Sequence, residues 1–189
     1  MIVLIFALAI FFAINMGGGN FSTCFAAAYG GKVLTRRWSI ILFMVFVIIG
    51  AVIFGQRVTL TLAKDIVPAE LITDKAVMII FFSAGLSMFI ANLMHIPQST
   101  SLVTVAALAG VGAFQGKVFV NSILYMLPFW LLLPVLSYVI TYGIARNVYP
   151  ARHDNFWIYE KFVNQRKKLK IFVVFSSCYN AFSIGSNNV

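Results

Sequence analysis

Asn15-Met-Gly-Gly-Gly-Asn20 stands in the middle of an apolar run that covers residues 2–29. Glycines and neutral amides at membrane depth are costly unless the fold uses them, because hydrocarbon satisfies no freed polar group. A related stretch, Ser183-Ile-Gly-Ser-Asn-Asn188, interrupts the last apolar run. Glycine-broken hydrophobic segments at corresponding places in two repeats point to the binding site of a secondary transporter. The pattern predicts broken helices at both places and a membrane permease for a small solute, with an inorganic oxyanion as the first candidate.

Composition excludes most soluble alternatives. Hydrophobic residues are 61% of the 189, charged residues 10%, and the mean hydropathy is +0.96. Soluble domains carry roughly 25% charged residues. The net charge of +9 does not point to nucleic acid, since the lysines and arginines sit between hydrophobic runs as orientation signals do. Cys24 and Cys178 lie inside apolar runs without metal-ligand spacing and read as small buried hydrophobes. No basic region precedes Ile2 and no cleavage motif follows the first run, so no cleaved signal peptide is expected.

Further apolar runs cover residues 38–55, 76–94, 98–114, 118–144 and 169–189, most of them near the ~20 residues that cross a bilayer core. The loop with Lys32, Arg36 and Arg37 has no acid, whereas Arg57, Lys64 and Lys75 are balanced by Asp65, Glu70 and Asp74. Arg146, Arg152, Lys161, Arg166, Lys167, Lys168 and Lys170 face only Asp154 and Glu160. The positive-inside bias places the first and last of these loops in the cytoplasm and the Met1 end outside.

Five crossings then bring the chain inside, and the sixth run enters in the opposite sense to the first, as an inverted repeat requires. A shift of 168 residues carries Ala13 onto Ala181 and the stretch 17–20 onto Gly185-Ser-Asn-Asn188. The expected fold is an all-α polytopic membrane bundle with broken helices. Its expected divisions are residues 1–145 as a first repeat of about five spans, 146–170 as a basic cytoplasmic loop, and 171–189 as the incomplete start of a second, inverted repeat. The run at 98–114 is short and reads either as a full crossing or as a re-entrant hairpin.

Two stretches carry candidate chemistry. In Gly17-Gly-Gly-Asn-Phe-Ser-Thr23 the glycines allow close backbone approach. A helix restarting near Asn20 would turn its N–H groups and positive end into the gap, with Asn20, Ser22 and Thr23 as neutral donors. The competing reading is a tight small-residue helix crossing. In His95-Ile-Pro-Gln-Ser-Thr-Ser101, Pro97 suits a helix start, and Gln98, Ser99, Thr100 and Ser101 supply amide and hydroxyl groups. An ordinary capped helix is the alternative there, and His95 reads as interfacial. All five acids lie in predicted loops, so no intramembrane carboxylate offers a proton relay or a sodium ligand. A site of neutral donors can still hold a dianion, each charge-assisted bond contributing roughly 1.5–3 kcal/mol.

These motifs, in this order, resemble the inorganic phosphate transporter family. Gly17-Gly-Gly-Asn-Phe-Ser-Thr-Cys-Phe-Ala-Ala-Ala-Tyr-Gly-Gly-Lys-Val-Leu-Thr35 is similar to its first-repeat signature. Pro97-Gln-Ser-Thr-Ser-Leu102 is similar to its Pro-Val-Ser-Thr-Thr-His element, and Gly185-Ser-Asn-Asn-Val189 to the opening of its second signature. Asn20 and Asn188 stand where the family has aspartate, which brings the chain closer to the branch holding bacterial sulfate permeases.

The resemblance implies substrate binding by Gly18, Gly19, Asn20, Thr23, Ser99, Thr100, Ser101, Asn187 and Asn188. It also implies alternating access with coupling to Na+ or H+, the ion being left open. The family name favours phosphate and the lost carboxylates favour sulfate, so both stand. Expected partners are that anion and membrane lipid, with a homodimer left open and no nucleic acid. The expected setting is a multi-pass cell membrane, bacterial by the same resemblance. A half-molecule or structural partner that needs another chain to complete a site is the alternative function. No catalytic residue, metal site or cofactor is expected, and an enzyme is the weakest reading.

Overall fold

The structure is a computed structural model of the chain and describes residues 1–56, 66–148 and 153–187. Arg57, Lys64, Asp65, Arg152 and the candidate ligand Asn188 lie outside them. The described residues form helices and no strand: α1 (Ile2–Gly30), α2 (Arg36–Gly50) continued by a π-helical turn (Ala51–Gly55), and a 3-10 turn (Ala69–Leu71). These are followed by α3 (Asp74–Leu93), α4 (Thr100–Phe114), α5 (Val120–Val148), α6 (Phe156–Asn164) and α7 (Arg166–Asn187). Among the described residues five stretches are long and apolar enough to span a membrane: Ile2–Gly30, Arg36–Gly55, Asp74–Leu93, Val120–Val148 and Arg166–Asn187. With 15 residues, α4 is about 22 Å long, short of the ~30 Å hydrocarbon core.

The expected break at 17–20 is absent. α1 runs without interruption through Gly17, Gly18, Gly19 and Asn20 to Gly30. Glycine lacks a side chain but keeps its N–H and C=O, and in a membrane the helical ladder is the best place for both. Likewise α7 is helical through Gly185 to Asn187. The interruption falls instead between α3 and α4, where Pro97 has no N–H to give.

The α3 end is a Schellman motif. Ile96 N–H donates to the Ala91 carbonyl (2.9 Å) and His95 N–H to the Asn92 carbonyl (3.2 Å), while His95 takes the left-handed conformation with φ 57°. The α1 end repeats the motif, with Val33 and Lys32 donating to Ala28 and Tyr29 and Lys32 at φ 54°. Side chains cap the starts of α3 and α4, whereas Thr35 at the start of α2 makes no such bond. Thr73 Oγ1 accepts from Ala76 N–H (3.3 Å) and Ser99 Oγ from Leu102 N–H (3.4 Å).

One compact unit holds residues 1–119 and 174–189, the other residues 120–173. In the first, α1 and α3 pack through Phe11–Phe89 and Phe12–Phe81, with ring centroids 5.9 and 6.0 Å apart. Gly85 makes room for this: a Cβ there would lie 2.8 Å from the Phe11 ring. Ala84, Met88 and Val103 form a buried cluster with Phe12, Met16 and Ala107 against it, which ties the α3–α4 hairpin to α1. Beyond α4, Phe119 N–H donates to the Ile66 carbonyl (3.0 Å), returning the chain to the segment ahead of α3.

Phe43 of α2 meets Phe21 and Phe25 edge-on. α2 and α7 cross backbone to backbone. A Cβ on Gly50 would collide with the Phe182 carbonyl oxygen, and one on Gly185 with that of Val47. Small residues allow such an approach between helices in lipid, so here the second glycine motif forms a crossing.

The second unit contains α5, α6 and the first residues of α7. α5 stays helical through Pro128 and Pro134 and buries only Val148. Its C-terminal end is held by Asn155 Nδ2, which donates to the Asn147 carbonyl (2.9 Å). The stretch 146–170, read as a loop, carries the nine-residue α6 and the opening of α7.

Candidate functional site

Asn15 is a polar residue locked inside α1: it is buried, and its side-chain amide donates to the Phe11 carbonyl one turn earlier (2.8 Å). From α3, Asn92 Nδ2 donates to the Asn15 carbonyl (2.9 Å). Gly19 is what lets Asn92 come so close, since a Cβ there would sit 3.2 Å from Asn92 Oδ1. The Gly19 carbonyl is in turn taken by the hydroxyls of Ser22 (2.8 Å) and Thr23 (3.1 Å). Glycine, amide and hydroxyl thus form one continuous polar strip on the α1 face towards α3.

That strip opens into a cavity of about 510 Å³. Gly18, Gly19, Ser22 and Thr23 form its α1 wall, Met88 and Asn92 its α3 wall, and His95, Ile96, Pro97 and Gln98 the turn that closes it. The two sequence motifs therefore meet, although α1 is unbroken. Among the described residues no aspartate, glutamate, lysine or arginine lines the space. Gln98 is fixed by donation from its Nε2 to Ser87 Oγ (2.9 Å), and α4 begins directly after it.

The expected ligands divide. Gly18, Gly19 and Thr23 line the cavity. Asn20 does not: it lies 100° around α1 on the stripe it shares with buried Cys24 and Ala28. Ser99 caps α4, Thr100 is 5% exposed with its carbonyl taken by the Thr104 hydroxyl (3.0 Å), and Ser101 lies one residue further on. These three adjoin the cavity through Gln98 without lining it. Asn187 is exposed at the end of α7, away from the cavity lining, and Ser186 turns its hydroxyl back to the Ser183 carbonyl (2.8 Å).

Asn92 and His95 are lining residues that were not among the candidate ligands. A signal for Asn92 was present: a neutral amide in an otherwise apolar run is the same cue that singled out Asn15 and Asn20. Among the described residues no buried side-chain polar atom lacks a partner, and no cluster of three metal-ligating side chains occurs.

Comparison with known proteins agrees with this architecture. Residues 16–189 match the model of the phosphate transporter family. The sulfate permease CysP of Bacillus subtilis is 37% identical over 96% of this chain and 50% of its own length. The chloroplastic inorganic phosphate transporter 2-1 of Arabidopsis thaliana is 26% identical over 75% of the chain and 26% of its own length. The fold resembles the solved structure of a sodium-dependent phosphate transporter with a TM-score of 0.65 at 21% identity, covering 97% of this chain and 54% of that one. The chain thus spans about half the length, or less, of these relatives. Matched along most of its length, and built of apolar helices long enough to cross the bilayer several times, this multi-pass membrane protein belongs to the phosphate transporter family.

Proposed function

We propose that the cavity between α1, α3 and the turn at residues 94–99 receives a tetrahedral oxyanion, and that the chain belongs to a permease that moves this anion across the membrane. The observation that carries the reading is the lining itself: the side-chain amides of Asn92 and Gln98, the His95 imidazole and the Ser22 and Thr23 hydroxyls, with no carboxylate among the described lining residues. Each oxygen of a dianion accepts hydrogen bonds; Asn92 and Gln98 each keep a second amide N–H, and the Ser22 and Thr23 hydroxyls would turn from the Gly19 carbonyl to the anion, at roughly 1.5–3 kcal/mol per charge-assisted bond. A carboxylate-free lining suits sulfate, which has no proton to donate, ahead of hydrogen phosphate. The similarity to a protein named as a sulfate permease points the same way.

Ser99, Thr100 and Ser101 enter this proposal as the start of a helix whose positive dipole end lies beside the cavity. Asn20, Asn187 and Asn188 enter it through the resemblance of their two motifs to the family signatures. Alternating access between inverted repeats, with residues 1–145 as the first, is part of the same reading; its support is the recurrence of the 17–20 pattern at 185–188. Uptake of labelled sulfate and phosphate by transport-deficient bacteria carrying the gene tests it. Sulfate uptake above the vector control is expected. Uptake of neither anion, with the protein present in the membrane, overturns it.

A further inference from the structure

A second pocket lies outside the transport reading and stands independently of it. Where α6 gives way to α7, Lys161, Gln165, Lys168, Leu169 and Phe172 enclose a cavity of about 240 Å³. Lys168, Leu169 and Phe172 share a face of α7, and Lys161 of α6 joins them across the junction at Gln165. The helices join with almost no loop: Gln165 alone separates them, and its carbonyl accepts Leu169 N–H (3.0 Å). Two lysines and a glutamine therefore line the pocket from α6 into the start of α7, and an aliphatic and an aromatic side chain follow along α7.

We propose that this pocket binds an anionic glycerophospholipid, its headgroup phosphate held by Lys161, Lys168 and Gln165 and its acyl chains running along Leu169 and Phe172. The order of residues decides between a lipid and a free anion. Leu169 and Phe172 follow Lys168 along α7, which is long and apolar enough to span the membrane, so the apolar part of the lining follows the route that acyl chains take. A free phosphate or sulfate would gain from the lysines and nothing from that wall. Phe156 and Trp157 at the start of α6 are 55% and 66% exposed, and aromatic residues so placed sit at headgroup level. Basic pockets beside spanning helices recognise anionic headgroups.

The site differs from a general attraction of basic residues to an acidic membrane. Lys167 and Lys170 belong to the same basic run but lie off the pocket lining. That separation supplies the control. The purified protein, stripped of lipid and given equal amounts of dioleoylphosphatidylglycerol and dioleoylphosphatidylcholine, is measured by native mass spectrometry.

Selective retention of phosphatidylglycerol is expected, and the pair Lys161→Ala/Lys168→Ala should lower it on the order of tenfold, as the loss of two basic contacts near a membrane implies. The pair Lys167→Ala/Lys170→Ala removes equal charge and should leave retention within about twofold of wild type. Equal retention of the two lipids by the wild-type protein overturns the proposal without recourse to any variant. Equal losses from the two variant pairs overturn it too, as that is the mark of diffuse attraction. Displacement of phosphatidylglycerol by added inorganic phosphate would show that the site takes a free anion instead.

Discussion

Asn92 reaches from α3 to hold the backbone carbonyl of Asn15 in α1, with 2.9 Å between its side-chain nitrogen and that oxygen. This bond ties the two walls of the cavity beside Gly19, where a Cβ would sit 3.2 Å from Asn92 Oδ1. Interhelical hydrogen bonds of this kind average about 0.6 kcal/mol in membrane proteins, so Asn92→Leu should destabilise by no more than ~1 kcal/mol. Anion uptake should fall much further, because the same side chain lines the cavity. Thermal unfolding in detergent, measured beside uptake, separates the two effects; a large loss of stability would recast Asn92 as structural.

The glycines divide sharply by position. Gly50 and Gly185 face carbonyl oxygens across the α2–α7 crossing with no room for a Cβ, whereas Gly17 and Gly18 have nothing within 4 Å of one. Gly50→Ala and Gly185→Ala should force the helices apart, at a cost typical of overpacking, about 1–3 kcal/mol each. Gly17→Ala and Gly18→Ala should leave the melting temperature unchanged or slightly raised, because alanine is the better helix former by ~1 kcal/mol. Melting curves of the four variants decide this, and equal behaviour would show that the crossing is not as close as described.

His95 and Lys32 occupy left-handed positions that glycine normally fills. Replacing either by glycine removes backbone strain of roughly 1 kcal/mol, partly offset by the greater freedom of the unfolded chain. His95→Gly and Lys32→Gly are therefore expected to be neutral to stabilising in detergent melts. A loss above about 1 kcal/mol would mean that the imidazole or ammonium makes a contact that holds the turn.

Ser99 starts α4 by capping Leu102 N–H. Ser99→Ala should lower stability by about 0.5–2 kcal/mol, the usual worth of an N-cap, and Ser99→Asp should restore it. The aspartate adds a negative charge beside the cavity, so anion uptake should stay low although the helix is capped again. Recovery of both together would remove the electrostatic part of the account.

The spans were legible because hydropathy alone decides them: α1, α2, α3, α5 and α7 coincide with runs that no soluble core would need. The hairpin break was legible at Pro97, whose missing N–H cannot join a ladder. The break expected at 17–20 was not there, since three glycines weaken a helix only where water offers their backbone another partner. Thr23, named with the motif, lies on the cavity wall, whereas the place of Asn20 off that wall depends on helical phase, which an expected break had reset. Asn92 carried the cue of a neutral amide in an apolar run, but its role exists only across the α1–α3 contact, and one chain read in order does not tell which helices meet.

The central claim, that an oxyanion occupies the space beside Gly18, can be tested by substrate protection of cysteines at neighbouring positions. Gly18 lines the cavity and Gly17 does not, while both have room for a side chain; Cys24 and Cys178 are buried at 4% and 6% exposure and give little background. The predicted result is that sulfate slows methanethiosulfonate labelling of Gly18→Cys severalfold, gluconate does not, and labelling of Gly17→Cys is indifferent to both. Labelling of Gly18→Cys at the same rate with sulfate, phosphate, gluconate or no added anion would contradict the account.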